Sequence, residues 1–321
     1  MALVNDIPFP DIYVAEDKTC YITDGETENG LAVLQADDLQ QFLHALETTW
    51  DKENPSYSLF YEGRIYRIER SEGIYGPIYC GRKMPAEVPR FMTLGFDSAL
   101  AEYLLGLNNC SGLILCSGPT GAGKTTTLSA LMKEYLSYQG GFAYTIEDPA
   151  EMPLDGIYKS IRGGLGICKQ TTPPQGDWGL GLKSALRSKP RYILVGEIRT
   201  PETASEALRA ATSGHLVLSS VHANNIADAI NSVVKYASST TMSEELAYDL
   251  FSRGMLGVMH QTLKGVKQKQ VDMSFLFTNP NTSIGDQVRG IVKSGNLNLS
   301  TAIEQQAVRM KNRMPLFTNI E

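Results

Sequence analysis

Residues 118–125 read Gly-Pro-Thr-Gly-Ala-Gly-Lys-Thr, a complete G-x-x-x-x-G-K-[ST] phosphate-binding loop. The apolar run 112–117 precedes the loop and suits a buried parallel strand. After the loop, apolar residues between 128 and 135 recur with the spacing of one helical face. Strand, glycine-rich loop and helix in this order are the setting in which the motif binds phosphate. The feature therefore predicts an α/β fold that binds a nucleotide at the start of a helix.

The loop residues carry the predicted nucleotide chemistry. Glycines let successive main-chain N–H groups curve around phosphate oxygens, and the helix start adds its positive dipole end. We expect Lys124, which is also a catalytic candidate, to reach the β- and γ-phosphates, and the Thr125 hydroxyl to contact the Mg²⁺ that accompanies ATP. The predicted nucleotide-binding residues are Gly118, Pro119, Thr120, Gly121, Ala122, Gly123, Lys124, Thr125 and Thr126.

Composition narrows the class of protein. A length of 321 residues suits two domains, and 42% hydrophobic with 20% charged residues is ordinary for a soluble globular protein. The net charge of −6 gives no support for a nucleic-acid partner, and none is expected. No run approaches the roughly 18 apolar residues of a membrane span, and the first residues lack the basic start of a signal peptide. The five cysteines form no C-x-x-C pair, so we expect neither a disulfide framework nor zinc, and a cytoplasmic location.

The chain is predicted to divide into a first domain at 1–84, a proline-containing linker at 85–95 and a second domain at 96–321. The first domain is aromatic and strand-like, with a hairpin across Glu62-Gly63, and resembles a small α+β sensor (PAS-like) domain. One helical face in it is formed by Leu39, Phe42, Leu43 and Leu46.

The second domain alternates strand and helix patterns, which is typical of a parallel sheet. The glycine- and proline-rich stretch 163–181 is expected to be a long surface loop, and the pattern beyond 240 is expected to stay helical through Met259. The predicted strands are 112–117, 142–146, 191–196 and 215–221, and the predicted helices are 124–138, 201–212 and 226–236. Thr200 is expected to cap the helix at 201–212.

Acidic residues follow two of the predicted strands. Glu197 ends the apolar run 192–196, and a P-loop fold needs such an acid beside the loop to hold Mg²⁺ or its waters. Glu147 and Asp148 end the run 143–146; we favour Glu147 as the general base for an attacking water and Asp148 as a helper or metal contact. Because parallel strands end at one edge of a sheet, these carboxylates are expected to meet there. The residues leave open whether Glu147 or Glu197 is the base.

Histidines and arginines complete the candidate site. His222, at the far end of the strand 215–221, is expected to reach the γ-phosphate, whereas His215 at its start is expected to be structural. An arginine at the developing charge would accelerate hydrolysis by several orders of magnitude. The candidates are Arg64, Arg67 and Arg82 in the first domain, with neighbouring Arg70, and Arg187 and Arg199 beside the Glu197 strand.

Four ordered segments give the chain a family resemblance. They are GPTGAGKTTT at 118–127, TIEDPAE at 145–151, ALRSKPRYILVGEIR at 185–199 and SGHLVLSSVHA at 213–223. In order and spacing they resemble the boxes of the type II/type IV secretion ATPase family. The chain departs from that family at Thr200, where aspartate is usual, and it lacks the four-cysteine zinc element of type II secretion ATPases.

The resemblance implies a RecA-like P-loop ATPase domain behind the sensor-like domain, in a hexameric ring with nucleotide between the two domains and first-domain arginines completing the site. It places Glu147 in the Asp box, Glu197 in Walker B and His222 in the His box. The implied function is an ATP-driven motor of a pilus or secretion system, working with inner-membrane platform or secretion-complex proteins at the inner membrane. The alternatives are a regulatory nucleotide-binding subunit with little turnover and, more weakly, a DNA-translocating ATPase.

Overall fold

The computed structural model of this chain describes residues 2–23, 30–50, 54–240, 242–265, 270–281 and 286–317. The chain forms two compact units. The first unit contains residues 1–88 together with 148–153, and the second contains 89–147 and 154–321. The segment 148–153, which the sequence places in the second domain, thus groups with the first unit.

The first unit is built on an antiparallel sheet. Among the described residues its strand order is β3-β2-β1-β6-β5-β4. The helix α1 supplies the buried side chains Phe42, Leu43 and Leu46 to the core, and the Phe42 ring meets those of Tyr61 and Tyr66 edge to face at 5.1 Å. The elements are β1 (Asp11–Val14), β2 (Cys20–Thr23), β3 (Leu31–Val33), α1 (Leu39–Thr49), β4 (Ser56–Tyr61), β5 (Arg64–Glu72) and β6 (Pro77–Lys83).

Alternation of side chains explains why one face of this sheet is charged. On β5, Tyr66 and Ile68 are buried, whereas Arg67 and Glu69 are exposed. The predicted hairpin is confirmed, since Tyr61 pairs with Arg64 across the turn. Both turn residues have positive φ, 45° at Glu62 and 78° at Gly63, as a two-residue hairpin turn requires.

The second unit is built on a mostly parallel sheet. Among the described residues its strand order is β14-β13-β7-β12-β11-β8-β10-β9. The strands from β13 to β10 run parallel, and an antiparallel strand, β14 or β9, closes each end. The strands are β7 (Gly112–Ser117), β8 (Gly141–Ile146), β9 (Gly156–Lys159), β10 (Leu165–Thr171), β11 (Tyr192–Val195), β12 (Leu216–Val221), β13 (Met255–Lys264) and β14 (Gln270–Phe277).

Helices cover this sheet, and every residue of its central strands β7, β11 and β12 is buried. Continuous apolar runs of this kind are expected where both faces of a parallel sheet are covered. The helices are α2 (Ser98–Gly106), α3 (Lys124–Gln139), α4 (Trp178–Arg187), α5 (Pro201–Thr212), α6 (Ile226–Ser238), α7 (Glu244–Gly254), α8 (Gln287–Lys293) and α9 (Ser300–Lys311). Within the described ranges, no helix combines the length and apolarity needed to cross a bilayer.

The expected long loop at 163–181 is wrong, because most of it is regular structure. Strand β10 occupies residues 165–171 and α4 begins at Trp178. Gly166 and Cys168 are buried while Leu165, Ile167 and Lys169 are exposed, which is the alternation of a strand. A Cβ on Gly166 would come within 2.8 Å of the Leu136 carbonyl oxygen on α3, so this glycine allows close packing rather than a loop.

The expected continuous helical pattern through Met259 is also wrong. Helix α7 ends at Gly254 and β13 begins at Met255, and residues 255–259 are all buried. A short, uniformly apolar run fits a buried strand and a buried helix equally well, so periodicity does not separate them.

Candidate nucleotide site

The phosphate-binding loop connects β7 to α3 through glycines with left-handed backbone conformations. Gly118, Gly121 and Gly123 have φ values of 147°, 77° and 84°, and Gly123 occupies the N-cap position of α3. Side chains other than hydrogen are strained there. The loop sequence therefore produces its own curvature, and the first N–H groups of α3 remain available to an anion. Thr125 and Thr126 lie half-buried in the first turn of the helix.

Lys124 folds back over the loop from the start of α3. Its Nζ donates hydrogen bonds to the carbonyl oxygens of Gly118 at 2.8 Å and Pro119 at 3.0 Å. The residue is only 8% exposed, so the ammonium group is fixed beside the loop instead of extending into solvent.

His222 lies between the loop lysine and the Glu197 carboxylate. Its Nδ1 lies 3.5 Å from Lys124 Nζ, and its Nε2 lies 3.3 Å from Glu197 Oε1. A neutral imidazole protonated on Nε2 satisfies both contacts, because Nδ1 then accepts from the ammonium group while Nε2 donates to the carboxylate. The structure thus brings together three of the predicted catalytic residues at the carboxyl edge of the sheet.

Glu147 lies at the same edge, at the end of β8, and is 2% exposed. A Cβ on Gly196, the residue before Glu197, would be 3.3 Å from Glu147 Cγ, so the ends of the two acid-bearing strands are in close contact. The Glu147 main-chain N–H donates to the Thr171 carbonyl oxygen at 3.0 Å. Its Oε1 accepts a hydrogen bond from Gln170 Nε2 at 2.9 Å.

Gln170 is a site residue that the sequence reasoning missed. Its own Oε1 accepts from the main-chain N–H groups of Leu154 at 3.2 Å and Asp155 at 3.3 Å, which fixes the orientation of the amide. Gln170 stands opposite Thr145 on the parallel neighbour β8, two residues before Glu147. The alternation of burial in residues 165–169 is visible only in the structure, because the exposed positions include the apolar residues Leu165 and Ile167.

Ser117, the last residue of β7, contacts β13 just before the loop begins. Ser117 Oγ donates to the Met259 carbonyl oxygen at 3.0 Å and lies 3.1 Å from His260 Nδ1. Burial, together with the Lys124 charge, lowers the pKa of His260 below its usual value. The imidazole is therefore neutral at neutral pH. His215, by contrast, lies immediately before β12, with Nδ1 2.6 Å from the Pro190 carbonyl oxygen.

Three of the arginine candidates and Asp148 belong to the first unit. Arg67 and Arg82 stand directly opposite each other on β5 and β6 and line a groove of about 270 Å³. Arg82 forms two hydrogen bonds with the Asp11 carboxylate, at 2.7 and 3.4 Å. Arg67 Nη1 lies 3.6 Å from Glu151 Oε1.

The other arginines have different surroundings. Arg70 stacks on the Trp50 ring, 3.6 Å from its centroid, and pairs with Glu72 at 2.6 Å, as a structural residue would. Arg64 starts β5 and is half-buried. In the second unit, the Arg199 guanidinium lies 5.3 Å from the centre of the Trp178 ring.

Comparison with known proteins shows which family the chain resembles. The family described as type II/IV secretion system protein matches residues 82–291. The type IV pilus assembly ATPase TfpB of Acinetobacter baylyi is 37% identical over 181 residues, which is 55% of this chain and 27% of that protein. With this and two further curated relatives, the chain spans between 22% and 31% of the relative's length.

Two solved structures share the fold over nearly the whole chain. The pilus retraction motor PilT with bound ADP has a TM-score of 0.72 at 24% identity, covering 94% of this chain and 87% of that one. The ATPase DotB of Legionella pneumophila has a TM-score of 0.72 at 19% identity, covering 96% and 89%. Because the family match covers well over half of the sequence, including the loop and all of the acidic strand ends, this chain belongs to the type II/IV secretion system protein family.

Proposed function

We propose that this chain is an ATP-hydrolysing motor subunit of a type IV pilus or a type II/IV secretion system. The observation that carries the proposal is the single imidazole of His222, which contacts both Lys124 and Glu197. In a P-loop site the lysine binds the phosphates, and an acidic residue such as Glu197 binds the metal ion or its waters. A histidine between them is placed to respond to the γ-phosphate, because Lys124 would lose one of its anionic partners when that group leaves.

The residues present fit a magnesium ion bound with ATP. Hydroxyl and carboxylate oxygens are the ligands that Mg²⁺ prefers, and Thr125 and Glu197 supply them, directly or through water. Asp148 is a further candidate for the same shell. The ion would neutralise charge on the β- and γ-phosphates.

Hydrolysis in this proposal proceeds by in-line attack of water on the γ-phosphate. Glu147 is the proposed general base, and its tie to Gln170 supports this role by fixing the carboxylate in one orientation. Glu197 is the alternative base. Lys124 stabilises the transferring charge, and Arg67 or Arg82 is the proposed arginine finger, since both are more than half exposed and stand opposite each other on neighbouring strands. Arg64 and Arg199 remain weaker candidates.

The proposed assembly follows from membership of the type II/IV secretion system protein family. We infer a RecA-like ATPase domain preceded by a PAS-like domain, joined by the linker 85–95 and assembled into a homohexamer. ATP binding and release would move the two domains about the linker, a hinge-type motion. Such a ring would act at the cytoplasmic face of the inner membrane through platform or secretion-complex proteins.

Site variants test the enzymatic proposal directly. Lys124→Ala is expected to reduce phosphate release to background, because the γ-phosphate loses its cation. Glu197→Gln is expected to retain ATP binding but to lower kcat by about 10²- to 10⁴-fold, the range for loss of a general base or metal-shell group. Glu206→Gln is the matched control, since Glu206 pairs with Arg209 on α5 at 3.0 Å. Steady-state phosphate release and binding of a fluorescent ATP analogue measure the two effects.

The regulatory alternative predicts a different outcome. Tight nucleotide binding without turnover in the unaltered protein, even with its machine present, would favour a switch subunit over a motor. Light scattering with and without ATP measures the mass of the assembly in solution. A monomer under every condition contradicts the proposed hexameric ring.

A further inference from the structure

Gln261 occupies an unusual place, because its side chain is a buried amide directly behind the phosphate-binding loop. It lies on β13, is 1% exposed, and follows the pair His260–Ser117, the last pair that joins β13 to β7. Gly118, the first residue of the loop, follows Ser117. Gln261 therefore lies beside the junction between β7 and the phosphate-binding loop.

One side chain contacts the strand, the loop and the helix. Gln261 Nε2 donates to the Ala122 carbonyl oxygen at 2.6 Å. Its Oε1 accepts from Thr127 Oγ1 on α3 at 2.8 Å and lies 3.7 Å from the Cys116 thiol sulfur on β7. All three segments of the nucleotide motif are thus tied to a single amide on a different strand.

Two loop glycines pack closely against Gln261. A Cβ at position 118 would lie 2.1 Å from the Gln261 main-chain oxygen, and one at position 123 would lie 3.1 Å from Gln261 Nε2. Gly118 and Gly123 therefore allow the loop to approach β13 as well as to adopt positive φ.

The hydrogen bond to Ala122 also orients a loop donor. In a planar trans peptide, the C=O of one residue and the N–H of the next point in opposite directions. Because the Ala122 carbonyl points at Gln261, the N–H of Gly123 points away from β13. That N–H is one of the loop groups available to a phosphate.

We propose that Gln261 is a positioning residue for the nucleotide: it holds the phosphate-binding loop in its anion-binding conformation from outside the loop. The proposal rests on the proposed nucleotide function. It explains why an amide, which is costly to bury without partners, stands where an apolar side chain of the same length would fill the space.

Buried glutamines with matched hydrogen bonds make the test specific. Gln306 is 6% exposed, accepts from the Phe277 N–H at 2.8 Å and donates to the Phe277 carbonyl oxygen at 2.8 Å, on β14. Gln261→Met and Gln306→Met each remove a buried amide whose nitrogen donates and whose oxygen accepts hydrogen bonds, but only the first touches the loop. The full chain with Mg²⁺ and a fluorescent ADP analogue gives Kd, and thermal unfolding gives the stability of each variant.

Gln261→Met is expected to weaken ADP binding about tenfold or more, whereas Gln306→Met leaves Kd within twofold of the unaltered protein at a similar loss of Tm. In hydrolysis assays, KM for ATP should rise about tenfold in Gln261→Met while kcat at saturating ATP falls less than threefold. Thr127→Val removes only the hydrogen bond from Thr127 to Gln261 Oε1 and should weaken ADP binding by about threefold. It serves as the reporter if Gln261→Met does not fold.

An unchanged Kd in the folded Gln261→Met protein, or in Thr127→Val if that is the variant that folds, overturns the positioning role. An equal loss of affinity in Gln306→Met also overturns it, because the effect would then be one of general stability. If the unaltered protein binds no ADP, the proposed function fails instead, so the two failures are distinguishable.

Discussion

Gln170 and Glu147 show how a catalytic candidate is held in place by a neighbouring amide. The carboxylate is buried, and the amide that donates to it is itself held by two main-chain N–H groups. A hydrogen bond to a charged group in such surroundings contributes about 1.5–3 kcal/mol. The orientation of Glu147 therefore depends on a residue that lies 23 positions later in the chain.

Gln170→Ala is expected to lower kcat for ATP hydrolysis by about tenfold or more, because Glu147 loses the donor that orients it. The KM for ATP and the Kd for ADP should change little, since the phosphate-binding loop is not altered. Steady-state kinetics gives kcat for Gln170→Ala and for Glu147→Gln, and Glu147→Gln should lower kcat more. Equal kcat in Gln170→Ala and the unaltered protein would show that the tie to Glu147 has no catalytic role.

At the scale of single residues, sequence predicts chemistry better than geometry. The loop glycines, Lys124, Glu197 and His222 were predicted from their spacing, and the contacts of the imidazole with Lys124 and Glu197 are consistent with that grouping. Gln170 and Gln261 were not predicted, because an isolated glutamine carries no local pattern. Their significance lies in partners 23 and 139 residues away, which only the folded chain brings near.

At the scale of elements, helix α5 begins with a cap that the sequence predicted. The Thr200 side chain accepts from the Thr203 N–H at 3.2 Å, and Pro201 occupies the first turn. Both features are local, so sequence is sufficient to find them. The strand β10 and the boundary between α7 and β13 were missed because their identity depends on burial by distant elements, which local composition does not encode.

Thr200→Ala is expected to lower the free energy of unfolding by about 1 kcal/mol, the usual cost of losing an N-cap. Thr200→Asp should retain the cap, because a carboxylate also accepts from the Thr203 N–H and interacts favourably with the helix dipole. Urea unfolding followed by circular dichroism measures the difference. Equal destabilisation by both substitutions would mean that the threonine methyl group, and not the cap, is the stabilising feature.

At the scale of the whole molecule, sequence predicts the parallel sheet of the second unit, whereas for the first unit it predicts strands and a hairpin but not the order of the sheet. Alternation of buried and exposed residues marks the antiparallel sheet of the first unit, and unbroken apolar runs mark the central strands of the parallel sheet in the second. It does not predict that residues 148–153 group with the first unit. A short segment of that kind is assigned by its contacts, which have no signature in composition.

Cys116 makes the second unit able to report on its own opening. The thiol is fully buried under the loop, and burial raises its pKa to about 12, so the reactive thiolate is scarce while β7 is closed. Alkylation must then wait for the strand to detach, and ADP at 100 times its Kd should slow that modification about 100-fold, because only the ligand-free form opens. Peptide mass spectrometry follows it, with Cys20, buried in the first unit, as the internal standard. The rate of Cys116 alkylation therefore measures how often the second unit unfolds around β7, and that rate is expected to fall when the nucleotide is bound.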